Sequence, residues 1–513
     1  MSLLTARLMR SSVRIRTAER RRQMTFTSSG SSRPRLSGCL RPRIRAVGAF
    51  VLQVASVGLL IVAWALSNPM FAAPDEDLHL ARAQSTWLGD MTPPYSTDGV
   101  PVEEVFCMAF QPDVTADCMD LAWGSPTSEQ FLPTTDGYPP AFYVVAGVPT
   151  RLTGGLGGAY VVRLWLAGLC SVLLVAAISR LRALRDDDLG VVALMVALTP
   201  MSIFLMSSIN PSGLSIALGA LAGAAGLTWQ MTRSRRELVV LLAAVVGIVV
   251  LRRDGPIIGS LILLTFIAPH VWQLRTIGER RSRRAALLGV TVIAAGVLAA
   301  TWSSWTFLGR QLSNEFTWSN WRGILANVDH YTRQLVGMFG WLDTWVSEAT
   351  MSIWFLTAGV LLGVAVFNRE RPCRQGSVLL AVCIALPGVF GLFRFPYFQT
   401  RYVLPAFVVG FVVCAVTGAD DMSSSRTWPK VRLILGTGLF LAHLTAFVTN
   451  MHRYSHGQTE QWSLFTGAAW EPPYLGNWGA ASFASLGALS SALLVMGRMS
   501  PSRARGGSET ERR

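Results

Sequence analysis

Runs of about twenty apolar residues recur along this chain, each long enough to cross roughly 30 Å of hydrocarbon. A segment surrounded by lipid must satisfy every backbone N–H and C=O internally, so such runs fold as helices. The pattern predicts an all-α, polytopic membrane protein. The runs fall near 46–67, 159–179, 189–209, 213–230, 238–251, 256–272, 285–307, 350–367, 377–393, 402–418, 431–449 and 480–497, which makes about twelve transmembrane helices. Composition agrees, with 51% hydrophobic and only 15% charged residues.

The formal net charge of +15 is a topology signal rather than a nucleic-acid footprint. Residues 1–45 carry twelve arginines and one acid, whereas 69–140 carry twelve acids and one base, Arg82. Basic flanks stay in the cytoplasm and meet anionic lipid there. Both termini are therefore expected inside, and the acidic segment outside. Residues 1–45 read as a disordered basic tail and 498–513 as a second one, flanking a membrane domain over 46–497. Three long segments, 69–137, 308–349 and 450–478, all fall on the outer face, where short amphipathic helices are expected. A single lysine, Lys430, excludes a lysine-containing phosphate loop and Schiff-base chemistry.

The first outer segment opens on Pro74-Asp75-Glu76-Asp77-Leu78-His79-Leu80-Ala81-Arg82. Pro74 suits the first position of a helix, and the acids suit its first turn. In a helix over Asp75–Gln84, the residues Asp75, His79 and Arg82 share one face. A carboxylate, an imidazole and a guanidinium then meet at the lipid–water boundary. Helix capping with a solvated face is the plainer reading of the same pattern. Cys107 and Cys118 share the outer compartment and are expected to form a disulfide.

Arginines also break the positive-inside pattern. Arg252-Arg253-Asp254 joins two apolar runs at or beyond the outer surface, and Arg394 and Arg401 flank a later outer turn. Ionisable residues at such depth suggest function, although an internal pair with Asp254 would also account for the first two. Tyr138, Trp341, Asp343 and Tyr402 lie in aromatic-rich outer segments. A carboxylate can take a proton from a hydroxyl, a guanidinium fork suits phosphate oxygens, and aromatic faces suit sugar rings.

An acid pair just after the first span resembles the C-type (GT-C) membrane glycosyltransferases. More closely, the chain is similar to an uncharacterised bacterial family of predicted integral membrane proteins, a domain of unknown function grouped with that superfamily. The resemblance rests on Pro74 to His79, Tyr138-Pro139-Pro140-Ala141-Phe142-Tyr143, Asn210-Pro211-Ser212-Gly213, Phe339-Gly340-Trp341-Leu342-Asp343 and Gln399-Thr400-Arg401-Tyr402-Val403-Leu404-Pro405, in that order. It implies a GT-C-like fold and a catalytic acid at Asp75, with Glu76 as its neighbour. A divalent cation held by Asp75-Glu76-Asp77 is compatible with the family's chemistry.

The reading that follows is a glycosyltransferase of the cytoplasmic membrane. It moves a sugar from a polyprenyl-phosphate donor to a cell-envelope glycan or lipid at the outer face. Asp75 is the expected base, with Glu76 and His79 positioning it. Arg401, Arg253, Arg252 and Arg82 are expected on the donor phosphate, and Tyr138, Trp341, Asp343 and Tyr402 around the sugar and lipid. The rival is a non-enzymatic transporter or flippase for lipid-linked sugars.

Overall fold

The structure is a computed structural model, and it describes residues 37–89, 99–102, 104–119, 121, 123, 138–277, 328–367, 376–383, 399–419, 422–423, 425–459 and 466–497. The chain divides into two units, 1–49 and 50–513. In the first unit the described residues are 37–49, which begin the helix α1 (Ser37–Ser67). Nine residues expected in the basic tail are thus helical.

The second unit is built from helices. After α1 come α2 (Glu76–Leu88), α3 (Ala141–Ala146) and the long α4 (Gly155–Leu184). Next are α5 (Leu189–Ala197), α6 (Pro200–Met206), α7 (Pro211–Thr232), α8 (Arg235–Leu251) and α9 (Gly255–Ile277). The chain continues with α10 (Val328–Val336), a two-stranded antiparallel hairpin of β1 (Met338–Phe339) and β2 (Thr344–Trp345), and α11 (Glu348–Phe367). It ends with α12 (Leu404–Gly418), α13 (Trp428–His456) and α14 (Gly476–Val495).

Among the described residues, six helices are long and apolar enough to cross a membrane, or seven if α5 and α6 form one span. The expected spans at 285–307 and, for most of its length, 377–393 lie outside the described residues, as do Arg394, Trp318 and Trp321. Three expected spans are short among the described residues: the apolar part of α1 is Gln53–Ser67, α8 has 17 residues, and the apolar part of α9 is Gly255–Pro269.

The run at 189–209 departs most from expectation. It is two helices bent by 75° rather than one continuous helix. Pro200 has no N–H and pushes the preceding residue out of the helical region, so Thr199 is extended at φ −62°, ψ 161°. The Thr199 side chain caps α6 by accepting from the Ser202 N–H at 3.2 Å. The indole of Trp354 donates to the Val196 carbonyl near the break at 3.2 Å. Non-helical backbone is tolerated at membrane depth only where it is buried like this, and residues 189–217 are all buried.

Helices α7 and α12 form the centre, while α11, α13 and α14 leave more of their apolar surface outward, as lipid-facing helices do. Helices α7 and α12 touch closely at Gly219, where an added Cβ would lie 2.7 Å from the Pro405 carbonyl oxygen and 2.9 Å from its Cα. Gly219→Val is expected to cost about 1–3 kcal/mol by forcing the backbones apart. A thermal melt in detergent that matched wild type would overturn this account of the contact.

Candidate functional site

The acidic motif folds differently from a helix starting at Pro74. Helix α2 starts at Glu76, and Asp75 precedes it in the left-handed region at φ 61°. Aspartate reaches that region more readily than most residues, because its short polar side chain can hydrogen-bond locally. Its surroundings hold it there. The Asn210 side-chain amide donates to the Pro74 carbonyl at 3.3 Å, and the His79 N–H donates to the Asp75 carbonyl at 2.8 Å. The motifs at Pro74 and at Asn210, distant in sequence, thus fold against each other.

Glu76 is fully buried and committed. Arg163 of α4 donates to both of its oxygens, Nε to Oε1 and Nη2 to Oε2, each at 2.7 Å. The Ile209 N–H donates to Oε1 at 2.8 Å, and the Ala73 N–H to Oε2 at 3.4 Å. The rest of the Arg163 guanidinium donates to the carbonyls of Ala65, Asn68 and Pro69. This network ties the end of α1 to the start of α2 and to α4. Glu76 is therefore not a mobile base, and its oxygens are not available as metal ligands. Among the described residues no group of three or more His, Cys, Asp or Glu side chains is placed to hold a metal. The acids at 75–77 do not fit the expected divalent-cation set.

The other end of α2 meets a cluster of cations and aromatics. Arg82 lies over the Tyr143 ring, 4.0 Å from its centre, and donates to the Tyr138 carbonyl at 3.0 Å. Buried His79 shares a hydrogen bond between its Nδ1 and the Tyr143 hydroxyl at 3.0 Å. It packs edge-on against Tyr138 and Phe142. Arg252 donates from Nε to Asp254 at 2.7 Å and from Nη1 to the Ser212 hydroxyl. It stands 4.8 Å from the centre of the Tyr402 ring, and Arg401 stands 5.8 Å from the same ring.

Burial, and then the positive charges of Arg252, Arg401 and Arg82, hold the His79 imidazole well below its ordinary pKa. Burial pushes the Tyr138 phenol up to about 12 against the pull of Arg252, with Tyr402, Asp254 and Asp75 adding to the rise. Arg82, Arg252 and Arg401 thus act on His79, and Arg252, Tyr402, Asp254 and Asp75 act on Tyr138.

Arg401 differs from its neighbours. It is 4% exposed, yet its Nε and Nη1 have no hydrogen-bond partner among the described residues. A buried guanidinium without acceptors is costly and calls for an anion. The adjacent Thr400 N–H donates to Gln334 of α10 at 2.7 Å, which fixes this turn. Thr400 and Val403 also line an apolar cavity of about 430 Å³ between α10, α11 and α12, with Trp354, Leu362 and Phe407 in its walls.

Of the remaining expected site residues, Trp341 and Asp343 make other contacts. Arg253 is half-buried, and Arg252 rather than Arg253 packs against Tyr402. Trp341 donates its indole N–H to the Phe71 carbonyl at 3.2 Å and packs between Phe106 and Phe110. Asp343 pairs with Arg453 at 3.3 Å. Arg453 also donates to the carbonyls of Met108, Gln111 and Val114 within the loop closed by the Cys107–Cys118 disulfide. Asp343 is thus an anchor for the outer loop, and Arg453 lies on the last turns of α13 rather than in a loop.

Sequence reasoning did not single out Arg163, Tyr143 or Ser212 for these roles. The first two had a usable signal, an arginine inside an apolar run and a tyrosine in a motif already noted.

A pH dependence follows from His79. Unfolded, it titrates near ~6.5. Folded, it titrates lower, so the unfolded state binds the extra proton in the interval between. The stability it contributes is full above about pH 6.5 and is lost as pH falls through the folded value. Melting curves between about pH 7.5 and 4.5 should show a steeper acid loss for wild type than for His79→Gln. Parallel curves would mean that His79 accepts its proton freely.

No curated protein matches the chain. The family described as predicted membrane protein (DUF2142) matches residues 59–407, a stretch that runs from α1 through the acidic motif, α7 and the Arg401 turn into α12. With that match over more than half of its length, the chain belongs to the DUF2142 family of predicted membrane proteins.

Proposed function

We propose that the protein is a GT-C-like glycosyltransferase of the cytoplasmic membrane, with both termini inside. It transfers a sugar from a polyprenyl-phosphate-linked donor to a cell-envelope glycan or lipid at the outer face. The observation that carries this reading is buried Arg401, whose Nε and Nη1 have no acceptor among the described residues, between two residues that line an apolar cavity, and acting with Arg252 and Arg82 on His79. The cavity suits an isoprenoid chain, and the arginines suit the phosphate that leaves. Fixed positive charge at a developing phosphate anion is a large catalytic term.

In the proposed step an acceptor hydroxyl oxygen attacks the anomeric carbon as its proton passes to the Asp75 carboxylate. The bond between that carbon and the phosphate oxygen breaks, and the phosphate departs with the electron pair. Glu76 and Arg163 position α2, and therefore Asp75, without touching the reactants. Neutral His79 orients Tyr143 beneath Arg82.

Transfer of radiolabelled sugar from a panel of polyprenyl-phosphate donors by the purified protein tests the proposal. Transfer lost in Asp75→Asn with donor binding kept supports it. A second reading, transport or flipping of a lipid-linked sugar, draws on the broken α5–α6 helix, a feature common at transporter substrate sites. Transbilayer movement of the donor without any transfer would favour it.

A further inference from the structure

We infer that Gln334 is a positioning residue for the Arg401 turn, and that His330 beside it makes this hold depend on the acidity of the surrounding medium. The consequence for ligand binding rests on the donor reading above, whereas the hold itself does not.

Residues Thr400–Val403 form a single 3-10 turn that runs into α12. The first N–H groups of such a turn have no partner within it, and a buried one needs an acceptor from elsewhere. Gln399, the residue before the turn, supplies no side-chain cap. The acceptor comes from α10, 66 residues back in sequence, where Gln334 Oε1 takes the Thr400 N–H at 2.7 Å. Both residues are buried, Gln334 at 2% and Thr400 at 5% exposure. Arg401 comes next, and its Nε and Nη1 have no acceptor among the described residues. With those nitrogens unheld, the aim of the guanidinium depends on the backbone turn that carries it.

A backbone N–H can only donate, so the Thr400 bond fixes the Gln334 amide with its oxygen toward the turn and its NH2 away from it. On that other side Gln334 Nε2 lies 2.8 Å from His330 Nε2. An amide NH2 can only donate, so His330 Nε2 is the acceptor and the ring is neutral, with its proton on Nδ1. The two residues are four apart on α10 and share a face, with His330 exposed and Gln334 buried. A proton arriving on His330 Nε2 sets two donors against each other. The amide then turns its oxygen to the imidazolium, and its NH2 meets the Thr400 N–H. The turn loses its cap.

Burial lowers the His330 imidazole below its ordinary pKa against the pull of Asp329, so the change falls below about pH 6.5. Helix α10 itself also carries Tyr331 and Arg333. The elements packed against it bring Arg401, Tyr402 and Cys414 from the turn and α12, Glu348 from α11 and Asp343 from the hairpin, while α6 brings no titratable group. Asp329 and Glu348 both bind Arg333, and Asp343 binds Arg453.

The test uses the purified full-length protein in nanodiscs at about pH 7.5 and about pH 5, on either side of the His330 change. Hydrogen exchange of the Thr400–Tyr402 backbone, compared between proteins at the same pH, reads the cap. Binding of farnesyl-phosphoryl-hexose, a diester whose charge is constant over that interval, reads the Arg401 site. At the higher pH, Gln334→Leu should exchange about 3–10-fold faster than wild type and bind the diester at least ~3-fold more weakly, as for the loss of one buried hydrogen bond. His330 is exposed, so its variants leave the packing intact. His330→Gln keeps an acceptor but cannot charge, and should stay protected at the lower pH, where wild type does not. His330→Arg is a permanent donor and should behave at both pH values as wild type does in acid. His79 is present in every protein, so the difference between wild type and His330→Gln belongs to His330. Unchanged exchange in Gln334→Leu overturns the inference, and so does an equal response to acid in wild type and His330→Gln. Faster exchange with unchanged diester binding overturns the positioning of Arg401. If exchange changes as expected but wild type binds no diester, the donor reading falls and the cap stands.

Discussion

Replacing Arg163 with methionine is expected to destabilise the fold by about 3–5 kcal/mol. Both Glu76 oxygens rest on Arg163, and the two side chains are 0% and 1% exposed. Removing the arginine leaves a carboxylate buried without its counter-charge. It retains only the N–H groups of Ile209 and Ala73. It also orphans the carbonyls of Ala65, Asn68 and Pro69, which Arg163 satisfies where α1 ends. Arg163→Lys should fail in part as well, because an ammonium group cannot serve all five acceptors in that plane. The double variant Glu76→Leu/Arg163→Met should recover much of the loss, since a buried pair replaced whole is often neutral. Thermal unfolding in a fixed detergent reads all four proteins. A single variant as stable as wild type would show that the network is not what ties α1, α2 and α4 together.

Asp75→Asn is expected to lower the rate of sugar transfer by about 10²–10⁴-fold, the usual span for loss of a general base. The fold should survive. Asparagine tolerates the left-handed conformation that Asp75 adopts, and it keeps the shape of the side chain. Donor affinity should change little, because the phosphate is assigned to Arg401 rather than to the acid. The expected signature is therefore a fall in kcat with KM nearly constant. Glu76→Gln is the paired control. It should lower thermal stability first, and lower activity only as the fold loosens. Transfer by Asp75→Asn at the wild-type rate would move the base elsewhere in the site. A rise in KM alone would recast Asp75 as a binding residue.

Much of this protein was legible in its sequence. Apolar run length fixed the helical, membrane-spanning class, because lipid leaves the backbone no other way to satisfy itself. Shared compartment suggested the Cys107–Cys118 pair, and the structure has that disulfide. Placing His79 and Arg82 on one helix was sound, but Asp75 stands ahead of that helix rather than in it.

Other matters were decided only by the tertiary structure. The sequence set two acids side by side, and resemblance alone marked Asp75 as the base. A partner 87 residues away, Arg163, consumed Glu76 and left Asp75 half-buried at the helix entry. It offered both Arg252 and Arg253, and the structure packs Arg252 against Tyr402 and bonds it to Ser212. Asp343 read as a site residue until Arg453 and the disulfide loop claimed it. The bend between Ala197 and Pro200 hid inside an even apolar run, because hydropathy does not register whether neighbouring side chains can satisfy a broken backbone. Length, period and compartment are local or additive properties, so the chain alone carries them. Which of two like charges is paired depends on contacts between distant segments, and only the folded arrangement sets those.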